Sequence, residues 1–222
     1  MVAGGDLHYG ARLEARLQGL DYVIAADSGV RHCLALGLDI DLLVGDMDSI
    51  SPVDYGRVAH VPSERHPEDK DALDLELALE KTLDKRPKEL LILAATGSRL
   101  DQSLAAVFIA SKYKTAKRSV VLLSGTNEVH ILADESRSFR FERATCLSLL
   151  SLSPSTLVSL RGTVYELAEQ RLNFGSGLGI SNESRKTKVQ IEVEGMLLCV
   201  LEFHVPPRQL KGTTDPFIVN KG

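Results

Sequence analysis

The sequence predicts an α/β fold: a mainly parallel, Rossmann-like sheet with helices on both faces, followed by a smaller all-β sandwich domain. Two changes of pattern along the chain carry this prediction. In the first part, short apolar runs alternate with helical periodicity, which is typical of parallel strands covered by helices. Near residues 134–138 this periodicity ends, and short alternating segments take over. We therefore expect an α/β domain over 1–135, a β-sandwich domain over 136–205 and a C-terminal tail over 206–222.

The first part alternates helices and strands in the order that a parallel sheet requires. Apolar residues spaced three and four apart predict a helix within 9–20, and Gly37 is expected to stop the second helix. The leucines between 73 and 79 alternate like a strand, but the acids before them favour a helix. The expected helices are 9–20, 30–36, 71–83 and 103–112, the expected strands are 22–26, 42–44, 90–95, 119–124 and 129–133, and the stretch from 53 to 67 is expected to be irregular.

The second part is expected to contain only strands. Its segments are short, and apolar residues alternate with polar ones along them. The Glu194-Gly195 pair is expected to form a hairpin turn between the last two strands. The expected strands are 139–141, 146–152, 156–160, 163–167, 188–193 and 196–203.

Composition excludes several classes of function. The 222 residues include 26 basic and 30 acidic side chains, and a net charge of −4 argues against nucleic acid or an anionic membrane as the main partner. The three cysteines are widely spaced among apolar neighbours, as in core thiols of a reducing compartment. No signal peptide is recognisable, and no apolar run approaches the roughly 20 residues of a membrane helix. We expect a cytoplasmic protein.

Acidic side chains recur where the expected strands end. Asp27, Asp46, Asp48 and Asp101 each follow an apolar run, and ligands of parallel sheets bind at the carboxyl ends of strands. These four acids are therefore expected to share one rim. The stretch 69–74, Asp-Lys-Asp-Ala-Leu-Asp, adds three acids and Lys70 where a helix should begin. Taken alone, acids at such positions are also explained as turn residues or helix caps.

Several carboxylates on one rim suggest a hard cation. Mg²⁺ takes oxygen ligands, usually one or two carboxylates together with the phosphates of a substrate. Lys70 and Arg99 would then balance phosphate charge. The sequence contains no P-loop, no nucleophile elbow and no paired cysteines or histidines of a zinc site. Metal-assisted transfer of a phosphoryl-type group is therefore the leading reaction class.

Five motifs, in order, resemble those of the thiamin pyrophosphokinase family. They are Ala-Asp-Ser-Gly at 26–29, Gly-Asp-Met-Asp-Ser at 45–49, Asp-Lys-Asp-Ala-Leu-Asp at 69–74, Gly-Ser-Arg-Leu-Asp-Gln at 97–102 and Ser-Gly-Leu-Gly-Ile-Ser-Asn-Glu at 176–183. Each motif is weak by itself, but the ordered set covers nearly the whole chain. The resemblance implies transfer of pyrophosphate from ATP to thiamin, with release of AMP. It also implies an α/β domain paired with a β-sandwich, in a homodimer whose active sites lie between subunits.

The resemblance assigns roles to residues by their place in the motifs. It implies that the catalytic and Mg²⁺-binding acids are Asp46, Asp48, Asp71 and Asp74. On the side of ATP and its phosphates it places Asp27, Lys70, Arg99, Asp101 and Gln102, and on the side of thiamin it places Ser181 and Asn182. The chain departs from the usual family pattern at Ser28 for glycine, Leu73 for threonine and Gln102 for histidine.

Three functions remain open on the sequence. The first is the pyrophosphokinase of thiamin, with ATP as co-substrate. The second is a pyrophosphokinase of another alcohol, such as a hydroxymethyl-pterin, which the departures at Leu73 and Gln102 would allow. The third is a nucleotide- or thiamin-binding regulator without turnover. The retained acids disfavour the regulator, because carboxylates crowded on one rim repel each other unless a cation joins them.

Overall fold

The structure is a computed structural model that describes residues 1–65 and 73–203 of the chain. The predicted tail over 206–222 lies outside the described residues. The helices are α1 (Ala11–Arg16), α2 (Val30–Leu36), α3 (Pro52–Val58), α4 (Asp74–Leu83) and α5 (Leu100–Lys112). The strands are β1 (Ile24–Ala26), β2 (Leu42–Gly45), β3 (Ser63–Arg65), β4 (Glu89–Leu93), β5 (Ser119–Leu123), β6 (Asn127–Arg140), β7 (Cys146–Ser151), β8 (Ser155–Arg161), β9 (Leu167–Asn173), β10 (Asn182–Glu183) and β11 (Lys188–Glu202).

The fold is mixed α/β, but the prediction of one large, mainly parallel Rossmann-like sheet is wrong. Strands β1, β2 and β3 form a small parallel sheet, and β4 pairs with β5 in parallel. From β6 onward every pairing between named strands of the described chain is antiparallel. Within the part of the chain that the structure describes, single β-bridges from Val2 to Ala25 and to Leu93 connect the two parallel groups. The long antiparallel strands therefore make up most of the sheet.

The hairpin predicted around Glu194-Gly195 is wrong, because both of its arms belong to one continuous strand, β11. This strand pairs along its length with β6. The two strands pair from Asn127 with Glu202 as far as Arg140 with Lys188, and the register shifts between Val193 and Met196. Gly195 has φ +102 there, and its N–H donates to Asp134 Oδ1 at 2.7 Å. The Glu194-Gly195 pair is thus a β-bulge within one strand, because the glycine absorbs an extra residue without reversing the chain.

Two other local predictions are also wrong. Of the predicted strand 163–167, all but the last residue lies in the turn between β8 and β9, where Gly162 has φ +89 and its N–H donates to Glu166 Oε1 at 2.8 Å. Within the stretch expected to be irregular, residues 53–58 belong to α3 and residues 63–65 form β3. Ser51 caps that helix by accepting from the Asp54 N–H at 3.1 Å, and Pro52 begins it.

Three apolar clusters hold these elements together. Two of them cover the two faces of the parallel strands, centred on Ile92 and on Leu93. The third lies among the antiparallel strands around Leu149 and Ile191. The predicted domain boundary between 135 and 136 falls inside β6, which continues through it without a break. The division into two domains stays a prediction.

Two further sequence features have a structural counterpart. Cys33 and Cys199 are buried, Cys146 is half-buried, and all three are free thiols. Among the residues that the structure describes, no helix is both long and apolar enough to cross a membrane.

Candidate active site

A cavity of about 410 Å³ opens where strands β1, β2 and β4 end. We call it the rim pocket. Its walls come from the segments that follow those strands, from the start of α4 and from residues 3–6. It gathers six of the predicted site residues, namely Asp27, Asp46, Asp48, Asp74, Arg99 and Gln102. Parallel strands that end at one edge bring these distant positions together.

Asp27 lines the rim pocket at the end of β1. It begins the short 3₁₀ turn after β1 and is half-buried. Its Oδ1 accepts the Met47 N–H at 3.4 Å. Burial, and then a hydrogen bond with the Asp74 carboxyl, raise the pKa of Asp27 from 3.8 to about 7. The two carboxyl groups can form that bond only when they share a proton.

Asp46 and Asp48 follow β2 directly. The Asp48 N–H donates to Asp46 Oδ1 at 3.0 Å, and this bond curls the chain back on itself. Between them Met47 has φ +69 and packs into the apolar cluster below the pocket. The buried methionine therefore anchors the loop, and both neighbouring carboxylates line the rim pocket.

Asp74 is the first residue of α4, and Leu73 before it caps the helix without a side-chain hydrogen bond. A carboxylate in the first turn is stabilised by the helix dipole. Asp74 also lines the rim pocket, so a capping role and a role in the site are compatible. The predicted site residues Lys70 and Asp71 lie outside the described residues.

Arg99 lines the rim pocket from the start of α5, and Asp101 holds its guanidinium. The two bonds measure 2.9 Å from Arg99 Nε to Oδ1 and 2.6 Å from Nη2 to Oδ2. This hydrogen-bonded pairing lowers the pKa of Asp101 to about 2. Asp101 is exposed and is not among the residues that line the pocket. Asp101 was expected on the shared rim, but of this pair only Arg99 lines the rim pocket.

Sequence reasoning did not assign Asp6, Ser98 or Ser103, although all three line the rim pocket. Asp6 follows Gly4-Gly5, which reads equally well as a plain turn. Ser98 stands inside the 97–102 motif but carries no charge that would single it out. In the sequence, these positions stand out only because glycine precedes an acid in Gly4-Gly5-Asp6 and a serine in Gly97-Ser98.

Ser181 and Asn182, predicted to lie beside thiamin, are not among the residues that line the rim pocket. Asn182 is buried in β10, and its amide bonds to the backbone of Tyr165 from both sides. Nδ2 donates to Tyr165 O at 2.6 Å, and Oδ1 accepts the Tyr165 N–H at 3.1 Å. The Tyr165 residue is 70% exposed. Asn182 thus holds an exposed aromatic residue next to the exposed Ser181.

Family models match both parts of the chain. The model of the thiamin pyrophosphokinase catalytic domain matches residues 13–122, and that of the thiamin pyrophosphokinase vitamin B1 binding domain matches 128–198. The thiamine pyrophosphokinase of Bacillus subtilis (strain 168) is 28% identical over 189 residues, which cover 82% of this chain and 87% of that protein. Thiamin pyrophosphokinase 1 of Caenorhabditis elegans is 22% identical over 197 residues, covering 82% and 79%.

Solved structures agree with these sequence matches. The crystal structure of thiamine pyrophosphokinase from Bacillus subtilis superposes with a TM-score of 0.82 at 25% identity, covering 92% of this chain and 98% of that one. A thiamin pyrophosphokinase family protein from Enterococcus faecalis gives a TM-score of 0.76 at 26% identity, with the same coverage of 92% and 98%. Both family models, the relatives and the folds point the same way, and the chain belongs to the thiamin pyrophosphokinase family.

Proposed function

We propose that the chain binds ATP and Mg²⁺ in the rim pocket and transfers pyrophosphate to thiamin, giving thiamin diphosphate and AMP. Family membership supports the reaction and favours thiamin over a pterin alcohol or a role without turnover. One observation carries the assignment to this place. Five carboxylates line one cavity whose wall also includes Arg99, namely Asp6, Asp27, Asp46, Asp48 and Asp74. A cation and a polyphosphate together match that distribution of charge.

The donor atoms of the rim pocket fit Mg²⁺ in kind. Burial and the neighbouring Asp74 carboxyl raise the pKa of Asp27, so a cation bound beside the two groups would relieve the repulsion between them. Within residues 1–65 and 73–203, no group of three or more His, Cys, Asp or Glu side chains already converges as a metal site. Mg²⁺ needs only one or two carboxylates when phosphate oxygens complete its shell, and Asp46, Asp48 and Asp74 are the described candidates. When bound, it would neutralise phosphate charge and draw electrons from the phosphorus under attack.

The proposed reaction exchanges one bond at the β-phosphorus of ATP for another, and the residues of the chain bind and orient the reactants. The thiamin hydroxyl oxygen forms a bond to the β-phosphorus of ATP and loses its proton to solvent. The bond from that phosphorus to the oxygen shared with the α-phosphate breaks, and AMP leaves. Arg99 is exposed and paired with Asp101, so its guanidinium can exchange one carboxylate for phosphate oxygens at small cost. Gln102 lies one helical turn away on the same wall and adds an uncharged donor.

For the acceptor, we propose the surface around Ser181 and Tyr165. Asn182 supports this surface from below through its bonds to the Tyr165 backbone. Val164, which precedes Tyr165, is 47% exposed, and Ile180, which precedes Ser181, is 43% exposed. An exposed aromatic ring among apolar side chains suits a flat heteroaromatic ligand such as the rings of thiamin.

We further propose a homodimer in which this acceptor surface completes the rim pocket of the neighbouring copy. The expectation comes from the family resemblance. The separation of the two surfaces within one chain supports it, because Ser181, Asn182 and Tyr165 do not line the rim pocket. An isologous dimer with each acceptor surface opposite a partner's rim pocket would contain two equal sites.

Release of AMP with different acceptors tests the proposed reaction. Purified chain, ATP and MgCl₂ are incubated with thiamin or with a hydroxymethyl-pterin, and AMP is measured by a coupled assay. We expect AMP with thiamin, a rate lower by orders of magnitude with the pterin, and none when EDTA is in excess. Asp39→Asn, an exposed aspartate that does not line the pocket, serves as the control and should keep full activity. AMP release that prefers the pterin, or that persists in EDTA, would overturn the proposal.

A further inference from the structure

Residues 4–6 run alongside the loop that follows β4 and bond to it at three points. The Gly5 N–H donates to Ala94 O at 2.7 Å, and the Asp6 N–H donates to Thr96 O at 3.0 Å. The third bond uses a side chain, since the Ser98 N–H donates to Asp6 Oδ2 at 2.8 Å. Ser98 immediately precedes Arg99. The Asp6 carboxylate therefore fixes the backbone from which the arginine of the rim pocket projects.

Glycines on both sides make this contact close. A Cβ on Gly97 would lie 2.7 Å from Asp6 Oδ2, and a Cβ on Gly5 would lie 2.5 Å from Ala94 O. Real Cβ atoms do not approach oxygen so closely, so only glycine lets the two segments meet at this distance. The sequence thus keeps the space that the Asp6 carboxylate occupies free of side chains.

The same loop is held from its other side by α5. The Gly97 N–H donates to Ser103 Oγ at 3.0 Å, and the Ser103 hydroxyl lies 2.9 Å from Arg99 O, to which it donates. Ser103 belongs to the helix that Arg99 precedes, whereas Asp6 lies 92 positions before Ser98 in the sequence. Asp6 is therefore the long-range part of this support.

Asp6 itself is tied to α2 through the two glycines before it. Arg31 Nη2 donates to Gly4 O at 2.6 Å, and His32 Nε2 lies 2.9 Å from Gly5 O. The Tyr9 hydroxyl lies 2.7 Å from His32 Nδ1. Burial lowers the pKa of His32, so the neutral ring donates from Nε2 to Gly5 and accepts from Tyr9. The segment that carries Asp6 is thus fixed at both of its carbonyl groups.

We infer that Asp6 is a positioning residue that acts on ATP through Arg99, by holding the Ser98 N–H with its side-chain oxygen. This inference rests on the proposed binding of ATP in the rim pocket. The geometry requires a hydrogen-bond acceptor at this position, but it does not require the negative charge of the carboxylate. An asparagine at position 6 retains such an oxygen, whereas an alanine does not.

Equilibrium binding of ATP in the presence of MgCl₂ and without thiamin tests the inference, because no turnover occurs. We expect Asp6→Ala to weaken ATP binding about tenfold, which is what the loss of one charge-assisted hydrogen bond typically costs. Asp6→Asn should restore affinity to within about threefold of the original chain, since a neutral acceptor bonds somewhat less strongly. Glu142→Ala removes an exposed carboxylate that does not line the rim pocket, and should leave ATP binding unchanged.

A second comparison tests whether Arg99 transmits the effect. Arg99→Ala alone should weaken ATP binding, and adding Asp6→Ala to it should cost little more, because both changes remove the same contact. Equal losses from Asp6→Asn and Asp6→Ala would overturn the inference, since the charge itself would then matter. Additive losses in the double variant would overturn it too. Failure of the proposed function looks different, because Arg99→Ala would then leave ATP binding unaltered.

Discussion

The Asp27 carboxylate occupies the space that a side chain at position 45 would need. Gly45 ends β2 with φ +133, and a Cβ built on it would overlap Asp27 Oδ1. Asp27 comes from the neighbouring strand, so this glycine allows one acid to lie behind the loop that carries Asp46 and Asp48. Only glycine combines that backbone conformation with so close an approach. The glycine of the second motif is therefore part of how the carboxylates are gathered.

We expect Gly45→Ala to lower the free energy of unfolding by about 1–3 kcal/mol, because it adds both backbone strain and a clash. The variant should also bind ATP more weakly, since the alanine displaces Asp27. Gly56→Ala is a matched control in α3, where a Cβ would meet nothing within 4 Å. That change should stabilise the chain by about 0.5–1 kcal/mol. Similar unfolding curves for both variants would contradict this role of Gly45.

Removal of divalent cations should make stability depend on the protonation of Asp27. Burial and the Asp74 hydrogen bond raise its pKa to about 7 in the folded chain, against 3.8 for the ordinary group. The folded state thus holds the proton more tightly than the unfolded state, and stability falls as pH rises through this window. In EDTA, the Tm of the original chain relative to Asp27→Asn should fall from pH 4 to pH 7 and then level off.

Addition of MgCl₂ at pH 8 supplies the second arm of that experiment. We expect it to raise the Tm of the original chain more than that of Asp27→Asn, because a cation offsets repulsion that the asparagine no longer produces. A constant difference in Tm between the two proteins across the pH range would show that Asp27 carries no raised pKa. Equal shifts with MgCl₂ would remove Asp27 from the vicinity of the metal.

Asn182 and Tyr165 should differ in what their loss affects. Asn182→Ala leaves the Tyr165 N–H and C=O without the amide that bonds them, and should cost about 1–3 kcal/mol of stability. Tyr165→Ala removes an exposed ring, and should raise KM for thiamin while leaving Tm and the affinity for ATP nearly unchanged. Thermal melts and steady-state kinetics of both variants decide the matter. If Tyr165→Ala leaves KM for thiamin unaltered, the acceptor surface lies elsewhere.

The sequence predicted much of the site because acids at strand ends converge through topology alone. Asp27 follows β1, and Asp46 and Asp48 follow β2. The parallel arrangement of these strands brings all three acids to one pocket, as expected. The role of Asp6 could not be predicted in this way. Its contact with Ser98 spans 92 positions and depends on a packing of glycines that no local pattern reveals. Asp101 followed the pattern equally well, but it pairs with Arg99 and does not line the pocket.

The fold was predicted in class but not in sheet arrangement. Glu194-Gly195 looks like a hairpin turn, because glycine after a polar residue suits a reversal as well as a bulge. The observed register of β11 on β6 decides between the two, and it depends on partners about 60 residues away. Ser51-Pro52, a capping residue followed by proline, is typical of a helix start and indicates α3. The histidines and prolines that follow, from His60 to Pro67, favoured an irregular stretch instead.

Mixed dimers test whether two copies share each active site. One chain carries Asp46→Asn in the rim pocket, and the other carries Tyr165→Ala together with Ser181→Ala on the acceptor surface. After subunit exchange, half of the dimers contain both chains, and one of their two sites would be intact. At low thiamin, we expect about a quarter of the activity of the original chain to return. No recovery after demonstrated exchange, or a fully active monomer on sizing, would rule out shared sites.

The most direct test of the central claim is to quantify all products in the original chain and in Asp46→Asn. With ATP, thiamin and MgCl₂, the original chain should form AMP and thiamin diphosphate in equal amounts, with no thiamin monophosphate. Asp46→Asn should form both at a rate lower by about two to three orders of magnitude, while its Tm stays near that of the original chain. Formation of ADP in place of AMP, or undiminished turnover by Asp46→Asn, would contradict pyrophosphate transfer in the rim pocket.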